Sequence, residues 1–150
     1  GKIIHNSSIL GFISFPFRGA YNASKYALEG FADTQRLELH GSGISISLIE
    51  PGPITSKFRE NAFKNFVKNI DKEKSYFKTR YKKMEEHFSK EGPAVPFTLT
   101  EEAVYKRLLH AIKAKSPKAR YYVTFPTYLF GYLKRILPTK MLDWLILKAN

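Results

Sequence analysis

The order of regular structure in the first third of the chain most constrains the fold. Residues 2–6, Lys-Ile-Ile-His-Asn, form a short apolar run that predicts a buried strand. Residues 44–49, Ile-Ser-Ile-Ser-Leu-Ile, predict a second strand, which the turn Pro51-Gly52-Pro53 ends. Between them, residues 21–39 predict a helix that ends at Gly41-Ser42-Gly43 and has an apolar stripe of Ala23, Ala27, Phe31 and Leu39. Strand, helix and strand in this order form a βαβ unit, which implies parallel strands and an α/β fold.

The remainder of the chain predicts further helices and one more strand. Thr100 offers an N-cap hydroxyl, and Glu101 and Glu102 place acids in the first turn of the helix that follows. In chain order we predict partial helix over 57–91 ended by Gly92-Pro93, a helix from Thr100 to about Lys115, a strand over 120–124, and two apolar helices separated by Pro138.

Composition excludes several classes of protein. With 150 residues, 43% of them hydrophobic, the chain is long enough for one modest domain with its own core. Because there is no cysteine, disulfides and thiolate metal sites are excluded, and the four histidines lack metal-ligand spacing, so we predict no metal site. The opening residues do not have the pattern of a signal peptide, and no run of about 18 uncharged apolar residues occurs, so we expect neither a signal peptide nor a spanning helix in these residues. The chain starts at Gly1 and its first methionine is Met84, so we interpret it as a fragment of a longer protein.

The net charge of +12 is unevenly distributed. Residues 1–55 are neutral overall, whereas residues 56–92 carry +5 and residues 93–150 carry +7. We interpret the basic, aromatic stretch near Tyr81 as a solvated helix face rather than a nucleic-acid site. Residues 126–150 mix large apolar side chains with lysine and arginine, which leaves three interpretations open. This segment lies on an anionic membrane surface, covers a substrate cleft, or packs on another subunit.

The strongest chemical signal is the run Tyr21-Asn22-Ala23-Ser24-Lys25. Tyr21 and Lys25 lie four residues apart, on one face of the predicted helix. An ammonium group beside a phenol stabilises the phenolate, so a tyrosine in such a pair can exchange a proton with a substrate oxygen near neutral pH. Taken alone, a tyrosine and a lysine at this spacing are common on helices by chance.

Two more segments follow the predicted strands. Asn6-Ser7-Ser8 ends the first strand, and residues 51–56, Pro-Gly-Pro-Ile-Thr-Ser, follow the second. Taken singly, the serine is an ordinary loop residue and the second segment is a strand-ending turn. Ligands of open parallel sheets, however, bind at the carboxyl ends of the strands. Ser8 lies 13 residues before Tyr21 and Pro51 lies 30 residues after it, so the three segments together predict one site.

The motifs Asn-Ser-Ser-x-x-Gly, Tyr-x-Ala-Ser-Lys and Pro-Gly-Pro-Ile, within residues 6–56, resemble those of the short-chain dehydrogenases/reductases. The resemblance implies an NAD(P)-dependent oxidoreductase that transfers hydride between NADP or NAD, with NADP preferred, and an apolar aldehyde, ketone or alcohol. By the family's pattern, Tyr21 is the general acid/base, Lys25 binds the nicotinamide ribose, and Ser8 polarises the substrate oxygen. The cofactor-binding residues implied are Tyr21, Lys25, Pro51, Gly52, Ile54, Thr55 and Ser56.

The resemblance also implies how the chain is organised. It implies the C-terminal portion of a doubly wound, Rossmann-type parallel sheet, because the family's glycine-rich phosphate turn and its catalytic asparagine are absent from these residues. We expect residues 1–150 to be half of one NAD(P)-binding domain, with 57–98 as a substrate-covering segment and 126–150 as a basic amphipathic tail. Aromatic side chains in the covering segment either line an apolar cleft or only pack against one another.

Further expectations concern the whole protein. We expect a homo-oligomeric, cytoplasmic enzyme that has no nucleic-acid partner and makes peripheral membrane contact through residues 126–150. We expect the 150 residues alone not to turn over. Two alternatives stay open, a non-catalytic fragment used for binding and a module that binds membrane surfaces or anions.

Overall fold

A computed structural model of the chain describes residues 1–89 and 95–149, with side chains given outside residues 87–89. The predicted break at Gly92-Pro93 lies outside the described residues. The strands are β1 (Lys2–Asn6), β2 (Ser45–Glu50) and β3 (Arg120–Tyr122). The helices are α1 (Gly19–Glu38), α2 (Phe58–Asn69), α3 (Lys78–Ser89), α4 (Glu101–Lys113), α5 (Phe125–Ile136) and α6 (Thr139–Ala149).

The three strands form one parallel sheet in the order β1-β2-β3. Ile3 pairs with Ile46, and Ile49 pairs with Tyr121. The βαβ unit is therefore β1-α1-β2, and a second crossover through α4 leads to β3. This confirms the predicted α/β fold with parallel strands.

Helices cover both faces of the sheet, as the apolar alternation of β2 requires. Ile46 and Leu48 pack with Ala32 of α1 on one face. Ile49 points to the other face, where it packs with Ala111 of α4 and with Tyr121. Side chains alternate between the faces of a strand, so one short strand serves both cores.

A third apolar cluster joins the end of the chain to the segment before α1. Ile13 packs there against Leu142 and Ile146, all three of them buried. This contact fixes α6 beside the loop that leads from the first strand to α1. The two helices predicted around Pro138 are thereby confirmed as α5 and α6.

The prediction that α1 packs mainly through its apolar stripe is wrong for three of the four residues. Ala23, Ala27 and Phe31 are exposed, and the buried side chains of α1 include Asn22 and Glu29. Leu39, the fourth residue of the predicted stripe, does pack with Ala32 against Ile46 and Leu48. The face of α1 that carries Asn22 and Glu29 instead meets a polar network, described below, which apolar periodicity does not reveal. The helix ends as predicted near Gly41 and Gly43, which have φ of 81° and 76°.

In the predicted covering segment, aromatic rings join helix α2 to α3 and join the residue before α3 to the loop before α1. The Phe66 and Tyr81 ring centroids lie 5.4 Å apart, and Phe17, from the loop before α1, lies 5.3 Å from Phe77. Thr100 is the N-cap of α4 as predicted, but its side chain makes no capping hydrogen bond. In the part of the chain that the structure describes, no helix is long and apolar enough to cross a membrane.

Candidate active site

Backbone hydrogen bonds join the segments that follow β1 and β2. The Ser7 N–H donates to the Ile49 carbonyl at 2.8 Å, and the Ile9 N–H donates to the Pro51 carbonyl at 2.8 Å. Ser8 lies between these two donors. The predicted substrate-binding serine and the predicted nicotinamide turn therefore lie side by side at the carboxyl edge of the sheet, where ligands of such sheets bind.

Ser8 is held by a short 3-10 turn at residues 9–11. It is the N-cap of this turn, and its Oγ accepts a hydrogen bond from the Leu10 N–H at 3.1 Å. Only 8% of Ser8 is exposed. Because the hydroxyl is used here as an acceptor, its own proton can still be donated to a second oxygen.

The helix pair predicted from the sequence is also attached to the end of β1. The Lys25 Nζ donates to the Asn6 carbonyl at 2.8 Å and lies 5.7 Å from the centroid of the Tyr21 ring. Burial lowers the pKa of Lys25 from its ordinary value, while the nearby Glu29 carboxylate opposes this shift. The Tyr21 ring also packs on Phe58 of α2, with centroids 5.2 Å apart.

Gly52 in the second turn lies against the start of α5. A Cβ at this position would lie 2.1 Å from the Thr124 Oγ1 and 2.6 Å from the Thr127 Oγ1. Both threonines are fully buried, and their hydroxyls are 3.0 Å apart. Glycine is thus needed here for close approach, since the positive φ values among the glycines belong to Gly41 and Gly43.

The residues after Gly52 form a single parallel bridge with the segment before α4. The Leu99 N–H donates to the Pro53 carbonyl at 3.1 Å, and the Thr55 N–H donates to the Leu99 carbonyl at 2.8 Å. Alternate backbone groups of an extended chain point in opposite directions, so the N–H and C=O of Ile54 point away from this bridge. The hydroxyl of Ser56 accepts from the Phe58 N–H at 3.3 Å, at the start of α2.

A network of charged side chains, which the sequence did not predict, connects these segments. Arg120 of β3 pairs with Glu29, with Asp33 at 2.8 Å and with Glu50 at 2.6 Å. The Ser7 hydroxyl donates to the Glu29 carboxylate. The only sequence signal was an acidic residue, Glu50, directly after the apolar run of the second strand.

Burial dominates the electrostatics of this network. The pKa of Glu50 is raised from its ordinary value to about 8, because burial and, second, the neighbouring Glu29 raise it more than Arg120 lowers it. Burial lowers the pKa of Arg120, but its bonds to the carboxylates outweigh this and leave that pKa above its ordinary value. One Glu50 oxygen is buried with no hydrogen-bond partner, and burial of such an oxygen disfavours the charged form of the carboxyl group.

An open groove lies apart from the predicted catalytic residues. This groove of about 700 Å³ runs between the loop before α1 and helix α6. Its described lining includes Asn22, Tyr26 and Asp143 but none of Ser8, Tyr21 and Lys25. We therefore build the candidate site on the three motif segments, residues 6–8, 21–25 and 51–56, and not on this groove.

Comparison with known proteins defines the class. Residues 1–67 match the model of a family described as short chain dehydrogenase. The chain is similar to the "Uncharacterized oxidoreductase YbbO" of Escherichia coli (strain K12), with 43% identity over 143 residues, which cover 95% of this chain and 47% of the relative. The chain belongs to the short-chain dehydrogenase/reductase family.

Two solved structures establish the fold. A short-chain dehydrogenase from Burkholderia cenocepacia, in complex with NADP, has a TM-score of 0.62 at 17% identity and covers 91% of this chain and 43% of its own. A short-chain dehydrogenase/reductase from Burkholderia phymatum, in complex with NAD, has a TM-score of 0.58 at 20% identity and covers 91% and 46%. The predicted Rossmann-type fold is confirmed. The chain spans about half the length of the curated relatives it matches.

Proposed function

We propose that the whole protein is an NAD(P)-dependent oxidoreductase that interconverts an apolar aldehyde or ketone and its alcohol. The observation that carries this proposal is the junction of the three motif segments. The Lys25 ammonium is bonded to the Asn6 carbonyl, and the loop that holds Ser8 is bonded to Pro51. Three separate parts of the chain thus meet at the carboxyl edge of a parallel sheet.

The residues at this edge fit the nicotinamide end of the cofactor. Lys25 would hold the ribose, and Pro51 and Gly52 would lie along the ring. Ile54 fits the carboxamide because its backbone N–H and C=O point away from the bridge to Leu99. Thr55 or Ser56 would add a hydroxyl. When bound, the cofactor supplies or accepts the hydride; NADP as the preferred form remains a prediction.

The protein's own groups would manage the substrate oxygen. In the reductive direction, the Tyr21 hydroxyl gives its proton to the oxygen as the carbonyl carbon is reduced. Ser8 donates a hydrogen bond to the same oxygen and so stabilises the charge that develops there. Lys25 carries a positive charge near the phenol, which favours the phenolate left behind.

An apolar substrate is favoured by the aromatic side chains next to Tyr21. Phe58 packs on the Tyr21 ring, at 5.2 Å between centroids, and 56% of its surface is exposed. Apolar walls with a few polar groups are typical of small-molecule sites. We propose that residues 57–98 provide this wall, with Phe58 nearest the reacting groups.

The test is NADPH and NADH consumption by the longest native form with a panel of apolar aldehydes and ketones. General acid–base catalysis contributes roughly 100-fold to 10,000-fold, so Tyr21→Phe is expected to lower kcat by at least about 100-fold. Tyr26→Phe is the matched control, because Tyr26 lies on the same helix and its hydroxyl is 3.5 Å from the Ser14 Oγ. Near-normal turnover by Tyr21→Phe would rule out the assignment, and no nucleotide binding at all would favour a non-catalytic protein.

A second proposal concerns the surface of α5 and α6. Tyr132 and Ile136 are 62% and 74% exposed and lie one helical turn apart on α5, and Trp144 on α6 is 56% exposed beneath the Lys148 ammonium. We propose that this apolar and basic surface contacts anionic lipid, as amphipathic helices do.

Co-sedimentation with vesicles that contain phosphatidylserine, compared with phosphatidylcholine alone, tests the membrane proposal. Ile136→Asp is expected to weaken binding to the anionic vesicles. Leu37→Asp, at an exposed position of α1, is expected to leave it unchanged. Equal binding by both variants and by wild type would refute the contact.

A further inference from the structure

The Glu29 carboxylate lies at the point where the three motif segments are connected. One oxygen accepts a hydrogen bond from the Ser7 hydroxyl, next to Ser8. The other oxygen pairs with Arg120, whose guanidinium also bonds Glu50, the residue before Pro51. Glu29 itself is on α1, one turn after Lys25. A single side chain is therefore linked to every segment of the candidate site, directly to Ser7, along α1 to Lys25, and through Arg120 to the residue before Pro51.

We propose that Glu29 is a positioning residue, whose carboxylate fixes the three motif segments relative to one another. The inference rests on the proposed function, since what it positions are the groups assigned to the reaction. Glu29 is 7% exposed, so its two bonds form in a site with little water. In such surroundings, charged hydrogen bonds hold geometry more firmly than neutral ones.

The glycine of the Asn-Ser-Ser-x-x-Gly motif supports the proposal. A Cβ on Gly11 would lie 2.8 Å from the Glu29 Cγ and 2.8 Å from the Ser7 Oγ. The glycine is thus required by the contact between Ser7 and Glu29, because any side chain would push them apart. The φ of Gly11 is not among the positive ones, so conformational freedom does not explain it.

Glu29 also acts on the lysine of the site. Its negative charge opposes the lowering of the Lys25 pKa that burial causes. The titratable and charged groups around Lys25 and Glu29 include Tyr21 and Asp33 on α1, Glu50 on β2 and Arg120 on β3. Neutralising Glu29 should therefore move the titration of Lys25 to lower pH, an effect that a purely structural role would not produce.

The experiment compares Glu29→Gln with Glu38→Gln in the longest native form. Both variants neutralise one carboxylate on α1, and Glu38 is exposed at the end of that helix. A displacement of about 1 Å costs on the order of 100-fold in rate, so Glu29→Gln is expected to lower kcat by at least about tenfold. Glu38→Gln is expected to change it less than about twofold.

The titration of Lys25 supplies a readout that needs no turnover. Acetylation of Lys25 by acetic anhydride, followed by peptide mass spectrometry across pH, reports the fraction of neutral amine. The curve is expected to move to lower pH in Glu29→Gln and to stay in place in Glu38→Gln. If the two variants agree in both kcat and the Lys25 curve, the proposal is overturned.

Ser7→Ala provides the second variant and a check on coupling. It removes the hydroxyl that Glu29 holds, so it should lower kcat in the wild-type background but add little to Glu29→Gln. Should Glu29→Gln fail to fold, an unchanged kcat in Ser7→Ala overturns the proposal. If wild type shows no turnover, the proposed function fails. The positioning role of Glu29 is then decided by two other measurements, the acetylation curve of Lys25 and the coupling between Ser7→Ala and Glu29→Gln in the free energy of unfolding.

Discussion

Replacing Gly52 by alanine tests whether close packing beneath the nicotinamide turn holds the site in place. The new Cβ would lie 2.1 Å from the Thr124 Oγ1, whereas ordinary contacts lie at 3.4 to 4 Å. Thr124 is fully buried and its hydroxyl is bonded to Thr127, so it cannot turn out into solvent. The turn must therefore move away from α5 by more than about 1 Å.

The magnitude follows from this displacement. Overpacking of a well-packed interior costs about 1 to 3 kcal/mol, so we expect Gly52→Ala to lower the free energy of unfolding by about 2 kcal/mol. Misplacement of reacting groups by about 1 Å costs on the order of 100-fold in rate. We expect kcat/KM to fall by that order, with a rise in KM for the nucleotide, while the protein stays folded.

Gly30→Ala is the matched control. Gly30 lies inside α1, and a Cβ there would meet no atom within 4 Å. In a helix interior, alanine is favoured over glycine by about 1 kcal/mol, so this variant should be slightly more stable and equally active. The two substitutions are chemically identical and are predicted to have opposite signs.

Urea denaturation measures the loss of stability in Gly52→Ala, and nucleotide titration measures the loss of affinity. A second substitution, at Thr124, tests whether the clash causes the loss of affinity. Thr124→Ala removes the oxygen nearest the new Cβ and leaves the Thr127 Oγ1 at 2.6 Å, so it should restore part of the nucleotide affinity of Gly52→Ala. Wild-type stability and wild-type KM in Gly52→Ala would refute the packing argument. Failure of Thr124→Ala to restore any affinity would show that the loss has another cause.

Two further predictions concern stability. The pKa of Glu50 is raised from an ordinary value of 4.5 to about 8 in the folded protein. Between these two pH values the folded protein therefore binds more protons than the unfolded chain. This contribution is complete below the ordinary value and is lost as pH rises through about 8. The melting temperature should fall over this range and the fall should be shallower in Glu50→Gln; an equal slope would contradict it. On α6, Ile146→Ala should lower the free energy of unfolding, measured by urea denaturation, by about 2 to 4 kcal/mol, because Ile146 is buried against Ile13. Leu147→Ala, at a position that is 63% exposed, should lower it by less than about 0.5 kcal/mol. Equal losses in the two variants would contradict the packing.

The sheet could be predicted because its strands are short apolar runs between strong turn signals. Residues 2–6 have the observed bounds of β1, and β2 lies one residue later than predicted. The third strand ends at Tyr122 rather than at Thr124, because Thr124 is the N-cap of α5. Local sequence patterns locate such strands well but their ends less well, because the end of one element depends on where the next element begins.

The side-chain network could not be predicted, because its members are far apart in the sequence. Arg120 and Glu29 are separated by 91 residues, and Arg120 and Glu50 by 70. A charged residue on a helix is normally solvated, so the pattern of α1 indicated a face built from Phe31 and its neighbours. Only the fold shows that the buried side of α1 holds a carboxylate, Glu29, beside the apolar contact of Ala32.

The two motif glycines with crowded surroundings share a feature that motif spacing alone does not reveal. Gly11 is crowded by Glu29, and Gly52 is crowded by Thr124, so each lies against a side chain outside its own motif. A catalytic group must be held to within about 0.5 Å, which short loops achieve only when packed on rigid neighbours. The glycines allow that packing, and it follows that substitutions at Glu29 or Thr124 should impair the site as motif substitutions do, although neither residue lies in any of the three motif segments.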